Sequence, residues 1–155
     1  MGDPIWPEPQ QVWLPRLLDD TLVVRGYPPE MVFAEKIVTA LARGSANTRW
    51  RDFVDLYVLI RRQVVESKTL RASMLRVAPY PCVPLAPLRS ALANFQEIAQ
   101  SRWAAWLPKQ RLEASAPGDF ATVLELLFTF ADPAIGNEPM TATWSPVEAA
   151  WLRAA

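Results

Sequence analysis

EKIVTALARGSANTRWRDFVD, residues 35–55, holds four basic side chains (Lys36, Arg43, Arg49, Arg51) and two inward-spaced aspartates (Asp52, Asp55) in a chain that is 51% hydrophobic. Around it the apolar residues recur every three or four positions, the period of a helix with one buried stripe. Met31, Ala34, Ile37, Val38 and Leu41 form the first stripe, Pro28 and Pro29 suit its first turn, and Gly44 stops it after Arg43. A second helix is expected from Thr48 as N-cap to about Gln63, with Phe53, Leu56, Tyr57, Ile60 and Val64 inward.

Lys36 and Arg43 lie seven residues apart, nearly two helical turns, and so project from one face. Asp52 and Asp55, three apart, share a face of the next helix. The short turn GSAN (residues 44–47) forces the two helices into an antiparallel or steeply crossed pair, which can bring the cations of one opposite the carboxylates of the other. Two readings fit. An interhelical salt-bridge network that orients the pair is the commoner outcome on spacing alone. The alternative is a site in which Lys36 and the arginines neutralise the phosphates of a nucleotide while the carboxylates position a reacting group. Trp50, between Arg49 and Arg51, is the best aromatic candidate for a ligand contact; Trp103 and Trp106, at helical spacing in an apolar stripe, read as core or interface.

Upstream, Pro4, Pro7, Pro9 and Pro15 disfavour helix, so residues 1–20 are expected to be extended or irregular, followed by a short strand Thr21–Arg25. Downstream, Ser67 or Thr69 caps a short helix that ends before Pro79. Four prolines between 79 and 87 make an extended connector there, and the chain divides into parts 1–78 and 88–155. Leu88–Leu107 reads as one helix with Leu92, Phe95, Ile98, Trp103 and Trp106 inward, Gly118 or Asp119 opens another through Phe130, and Ser145-Pro146 reads as the start of a last one. The fold class is α+β and mostly helical, with helix over half of the residues.

Composition narrows the functions. With 16 basic and 16 acidic side chains the net charge is zero, so polyanion binding must come from a local cluster. The absence of histidine excludes a histidine-dependent triad, and the single cysteine, Cys82, cannot form an internal disulfide. No apolar run is long enough to span a bilayer and the N-terminus lacks a signal-peptide pattern, so the expected location is cytoplasmic, with no membrane partner.

The residues GYPPEMVFAEKIVTALARGSANTRWRDFVDL resemble a signature of the AbiEii/AbiGii toxin family of nucleotidyltransferases, in particular the actinobacterial members related to the MenT toxins. Glu35-Lys36 match the family's Glu-Lys pair on one helix, and Arg49 to Asp55 match its Arg-x-[Lys/Arg]-Asp-x-x-Asp motif on the next. The likeness extends from GDPIWPEP through LPRLL to the stretch around SRWAAW. It implies that Lys36 contacts nucleotide phosphates, that Asp52 and Asp55 complete the active-site charge pattern, and that Arg49 and Arg51 help bind polyanionic substrate or structure the pocket; Arg43, by its spacing from Lys36, is a further candidate for nucleotide or acceptor binding. The resemblance further implies Mg2+ and a nucleoside triphosphate as the reactants of the full-length family, a cognate antitoxin as partner, and an RNA or protein acceptor.

One family feature is lacking. The Gly-Ser and Asp-x-Asp motifs that carry the metal ligands on the first strands of the catalytic sheet occur nowhere in this sequence: Gly44-Ser45 joins two helices and Asp19-Asp20 precedes a strand. The chain is therefore expected to be the C-terminal helical portion of a nucleotidyltransferase-like fold with its catalytic sheet largely missing, to hold no metal ion or triphosphate tightly alone, and to have no more than residual activity by itself. The alternative is a non-catalytic interaction module, or one half of a split enzyme that pairs with a chain supplying the missing N-terminal half.

Overall fold

The computed structural model describes residues 10–15, 21–26, 28–78, 84–136, 138 and 140–154, the first two segments by their backbone alone. Two strands, β1 (Gln10–Pro15) and β2 (Thr21–Gly26), pair antiparallel with Gln10 opposite Gly26. Gln10–Pro15 is extended and the strand expected at Thr21–Arg25 is present, while the rest of residues 1–20, expected to be extended or irregular, lies outside the described residues. Helix α1 (Pro29–Arg43) follows, with Pro29 in its first turn, where a missing N–H breaks no helical bond, and Gly44 beyond its end at φ +51°. A 3-10 turn, Gly44–Ala46, leads to α2 (Trp50–Ile60).

After α2 come β3 (Val65–Glu66), α3 (Ser67–Val77), a four-residue helix α4 (Leu88–Ala91), α5 (Phe95–Lys109) and α6 (Phe120–Ile135). The described part ends in a hairpin of β4 (Ala142–Ser145) and β5 (Ala150–Arg153), which joins β3 in a three-stranded antiparallel sheet of order β3-β4-β5. Among the described residues the architecture is a mostly helical α+β fold with six α-helices.

One core runs through all the helical elements. Trp50 and Phe53 of α2 pack with Phe95 and Trp103 of α5 around Phe120 of α6: Phe120 lies 5.2 Å from Phe53, 5.4 Å from Phe95 and 4.9 Å from Trp103, centroid to centroid. A second group joins Phe33 of α1 to Phe130 of α6 at 4.8 Å and Phe130 to Trp144 of β4 at 5.1 Å. The two fully buried indoles each have an acceptor for their N–H, Trp103 on the Pro117 carbonyl at 2.9 Å and Trp144 on the Ile60 carbonyl at 2.8 Å, which removes the desolvation cost of their polar ends. The proline-rich connector expected over 79–87 lies largely outside the described residues, but elements on its two sides share this core.

Several expectations are corrected. The helix expected over Leu88–Leu107 is two, because Asn94 takes a left-handed conformation (φ 63°) that no helix tolerates; the break rotates Ile98 outward, to 54% exposure. Helix α2 starts at Trp50 with Arg49 in the capping position, not Thr48, and stops at Ile60, which leaves Val64 63% exposed. Ser67 caps no helix: its hydroxyl donates to the Met140 carbonyl and accepts the Ala142 N–H, tying α3 to β4.

Ser145-Pro146 opens a turn, not a helix. Ser145 Oγ accepts the Glu148 N–H at 3.3 Å, the contact of a helix cap, but Ala149 at φ 50° reverses the chain and Trp151 packs back on Phe130.

Because Phe120 lies at the meeting point of α2, α5 and α6, Phe120→Ala is expected to lower stability by about 3–5 kcal/mol, the range for a fully buried aromatic. Urea unfolding measures it. A loss below 1 kcal/mol on that order-of-magnitude scale would mean the three helices do not share one core.

Candidate functional site

Lys36 sits one turn after Val32 on α1, on the side that meets α2. Its amine donates to Asp52 Oδ1 at 2.8 Å and to Asp55 Oδ2 at 2.9 Å, bridging successive turns of the second helix. The remaining carboxylate oxygens are also taken: Arg49 Nε lies 2.9 Å from Asp52 Oδ2, and Arg51 Nε lies 3.1 Å from Asp55 Oδ1. Three cations thus surround two anions, with a surplus of one positive charge. The exposure of these side chains is graded, 11% for Asp52, 20% for Lys36, 30% for Asp55 and above half for both arginines, so the charges run from the core edge to solvent.

The turn between the helices is fixed locally. Asn47 is buried, and its side-chain oxygen accepts the Arg49 N–H at 2.8 Å, which sets the entry of the chain into α2 and with it the phase of Asp52 and Asp55. Burial of the Lys36 amine lowers its pKa, but the hydrogen bonds and charges of Asp52 and Asp55 outweigh this and hold it above the ordinary 10.5. It is a permanent cation at neutral pH.

The cluster opens into a cleft of about 900 Å³, within the size range of small-ligand sites. Lys36, Arg51 and Asp55 line it together with Arg61, Arg62 and Arg111, over an apolar floor that includes Val54 and Val58. Five cations against one carboxylate give the cleft a surplus of four positive charges in a chain whose net charge is zero. That surplus gives the cleft a local positive potential that favours anions.

A divalent metal ion does not fit these carboxylates. All four oxygens of Asp52 and Asp55 already face a lysine or arginine, and among the described residues no group of three or more acidic, histidine or cysteine side chains is arranged to hold a metal.

Lys36, Asp52, Asp55, Arg49 and Arg51 are brought together. Arg43 is not: it is exposed on the last turn of α1, it joins none of the ion pairs among the described residues, and it does not line the cleft. Trp50, the aromatic candidate for a ligand contact, sits in the core. Its ring is 9% exposed and stacks on Phe95 at 6.0 Å, the face it shares with Phe53 three residues on.

Beyond Arg51, the cleft arginines Arg61, Arg62 and Arg111 are not placed in a site by the sequence. Arg62 had a signal, since residues 51, 55, 58 and 62 fall on one face of a continuing helical path. Arg111 had none, being 75 residues from Lys36 with nothing local to mark it.

Among the described residues no helix is long and apolar enough to cross a membrane. A family model for the nucleotidyl transferase AbiEii toxin of type IV toxin–antitoxin systems matches residues 1–126. No curated protein and no solved structure matches the chain.

The raised pKa of Lys36 fixes the sign of a pH effect. Stability owed to its charge is fully present below pH 10.5 and is lost as the pH rises through the amine's higher folded value. Lys36→Met, which strands two carboxylates, is expected to destabilise by an amount bounded by the roughly 3–5 kcal/mol found when fully buried pairs lose one partner. The gap from the wild-type chain, followed by urea unfolding, narrows in strong alkali. A gap that stays constant there would show that the amine takes nothing from its aspartates.

Proposed function

The chain belongs to the AbiEii nucleotidyl transferase toxin family of type IV toxin–antitoxin systems, and from that premise we propose that the Lys36 cleft binds the triphosphate of a nucleotide donor. The single observation that carries this is the amine of Lys36, held between Asp52 and Asp55 at the mouth of a cleft with four surplus positive charges. In the transfer, an acceptor oxygen forms a bond to the α-phosphorus as the bond to the β-phosphate oxygen breaks and pyrophosphate leaves. Negative charge spreads over the phosphate oxygens as this happens, and a fixed cation stabilises it without having to reorganise. Asp52 and Asp55 keep Lys36 charged and aimed, while Arg49 and Arg51 prevent the two carboxylates from repelling the donor.

The finer reading follows from the motifs. We read the chain as MenT-like and as carrying the C-terminal, phosphate-binding portion of the nucleotidyltransferase site, with the metal-binding Gly-Ser and Asp-x-Asp portion supplied from elsewhere. Two features support this: no Asp-x-Asp occurs in the sequence, and the two candidate carboxylates are committed to cations. The working enzyme then acts in the cytoplasm on an RNA or protein acceptor and is restrained by a cognate antitoxin. On its own this chain binds triphosphate weakly and transfers little.

Purified chain mixed with α-labelled nucleoside triphosphates, magnesium and a tRNA pool is expected to give at most a trace of labelled product. Efficient transfer would overturn the assignment of the metal site to another segment. Calorimetry on the same chain is expected to show triphosphate affinity falling about tenfold or more in Lys36→Ala, the loss of one charge-assisted contact; unchanged affinity would remove the role given to the lysine.

A further inference from the structure

Arg111 occupies a backbone position that favours glycine. Helix α5 ends in a Schellman turn: the Leu112 N–H bonds back to the Leu107 carbonyl at 3.2 Å and the Arg111 N–H to that of Pro108 at 3.0 Å. The residue between, Arg111, must be left-handed, and its φ is +57°. For a side chain with a Cβ this costs about 1–2 kcal/mol, and asparagine or glycine is the usual solution. Strain retained in this way concentrates where a side chain has work to do.

The work is visible in where the side chain goes. Arg111 lines the cleft that holds Lys36, on a wall supplied by the loop between α5 and α6, while Arg61 and Arg62 line it from the end of α2. Arg61 lies over the Tyr57 ring, 5.3 Å from its centroid, which limits its freedom. None of the three has an acidic partner in the ion pairs among the described residues. Helix-end electrostatics favours a cation at all three positions, each lying just past a helix C-terminus, but it does not require one at Arg111, where glycine would relieve the left-handed backbone. A single phosphate is served by the Lys36 cluster alone. Three further guanidinium groups across the same cleft match a ligand with several phosphates in succession.

We propose that Arg111, with Arg61 and Arg62, forms a second phosphate-binding wall of the Lys36 cleft, engaging a run of linked phosphates as found in a polyphosphate tail or a nucleic-acid backbone. The inference rests on the reading of the cleft as a phosphate site, and it adds the residues that make the site long enough for a chain of phosphates. Guanidinium groups suit this task because their forked donors take two oxygens at once.

Arg111→Gly tests it with two readouts of opposite sign. The melting temperature is expected to rise by about 2–4 °C as the backbone strain is relieved. Affinity for sodium tripolyphosphate, measured by calorimetry, or for a short single-stranded RNA oligonucleotide, measured by anisotropy, is expected to fall about tenfold, with the salt slope of RNA binding reduced by about 1. A purely structural arginine gives the reverse, lower stability with unchanged binding, and that result overturns the proposal. So does a wild-type chain that binds neither probe. Binding of tripolyphosphate alone identifies the polyphosphate source and binding of RNA identifies the backbone source; either supports the shared chemistry. Loss of binding in Lys36→Ala but not in Arg111→Gly leaves the donor site standing and removes the second wall, and the opposite pattern keeps the wall and removes the donor role of Lys36.

Discussion

The contact on which the site depends is one amine shared by two carboxylates on successive turns of a neighbouring helix. Asp52 is almost fully covered, and a carboxylate in such a place is stable only if a cation and hydrogen bonds replace the water it has lost. Lys36 supplies both. The same contact sets the azimuth of α1 against α2, because an amine reaches Asp52 and Asp55 together at 2.8 and 2.9 Å only in a narrow range of crossings. Fold and chemistry therefore share a constraint. The packing that places the lysine at the cleft also satisfies the buried edge of the helix pair.

The charge balance around that contact decides what the cleft can hold. Two carboxylates alone would attract a metal ion. With Lys36 on one oxygen of each carboxylate and Arg49 and Arg51 on the other two the sign is reversed, and Arg61, Arg62 and Arg111 reinforce it. Along α2 the charge is graded, with the acids toward the core edge and the bases toward solvent. Zero net charge over the whole chain makes the cleft a local feature, so encounter with an anion is guided only within about one Debye length, roughly 8–10 Å at physiological salt.

Much of this arrangement was legible in the sequence because it is local. Helices α1 and α2 follow from the 3.6-residue period and a terminating glycine, and the convergence of Lys36 with Asp52 and Asp55 follows from i, i+3 spacing across a short turn. What was illegible depended on tertiary context or on a weak local signal outweighed by a stronger one. Asn94 breaks a helix whose periodicity continues on both sides, and only its tolerance for left-handed backbone hinted at this. Trp50 shares a face with Phe53, but its flanking arginines drew the reading outward. Ser145 makes a cap contact in a turn that the burial of Trp151 then bends into a hairpin.

The C-terminal elements matter to the site through the core rather than through contact with the motif. Asp132 of α6 accepts the N–H groups of Leu88 and Arg89 and so caps α4 from across the molecule, while Arg71 of α3 donates to the carbonyls of Ala134, Ile135 and Gly136 at the end of α6. Both contacts satisfy helix ends that have no local cap, and together they lock α6 between α3 and α4. Phe120 and Phe53 then transmit the position of α6 to α2. Helix α5 is held in the same way, by Gln100 accepting the Phe120 N–H and donating to the Gly118 carbonyl. The loop that carries Arg111 is the segment between these two clamped helices, so its left-handed turn is fixed at both ends. A cleft assembled from residues 36 to 111 can then keep its cationic walls in register without any direct bond between them.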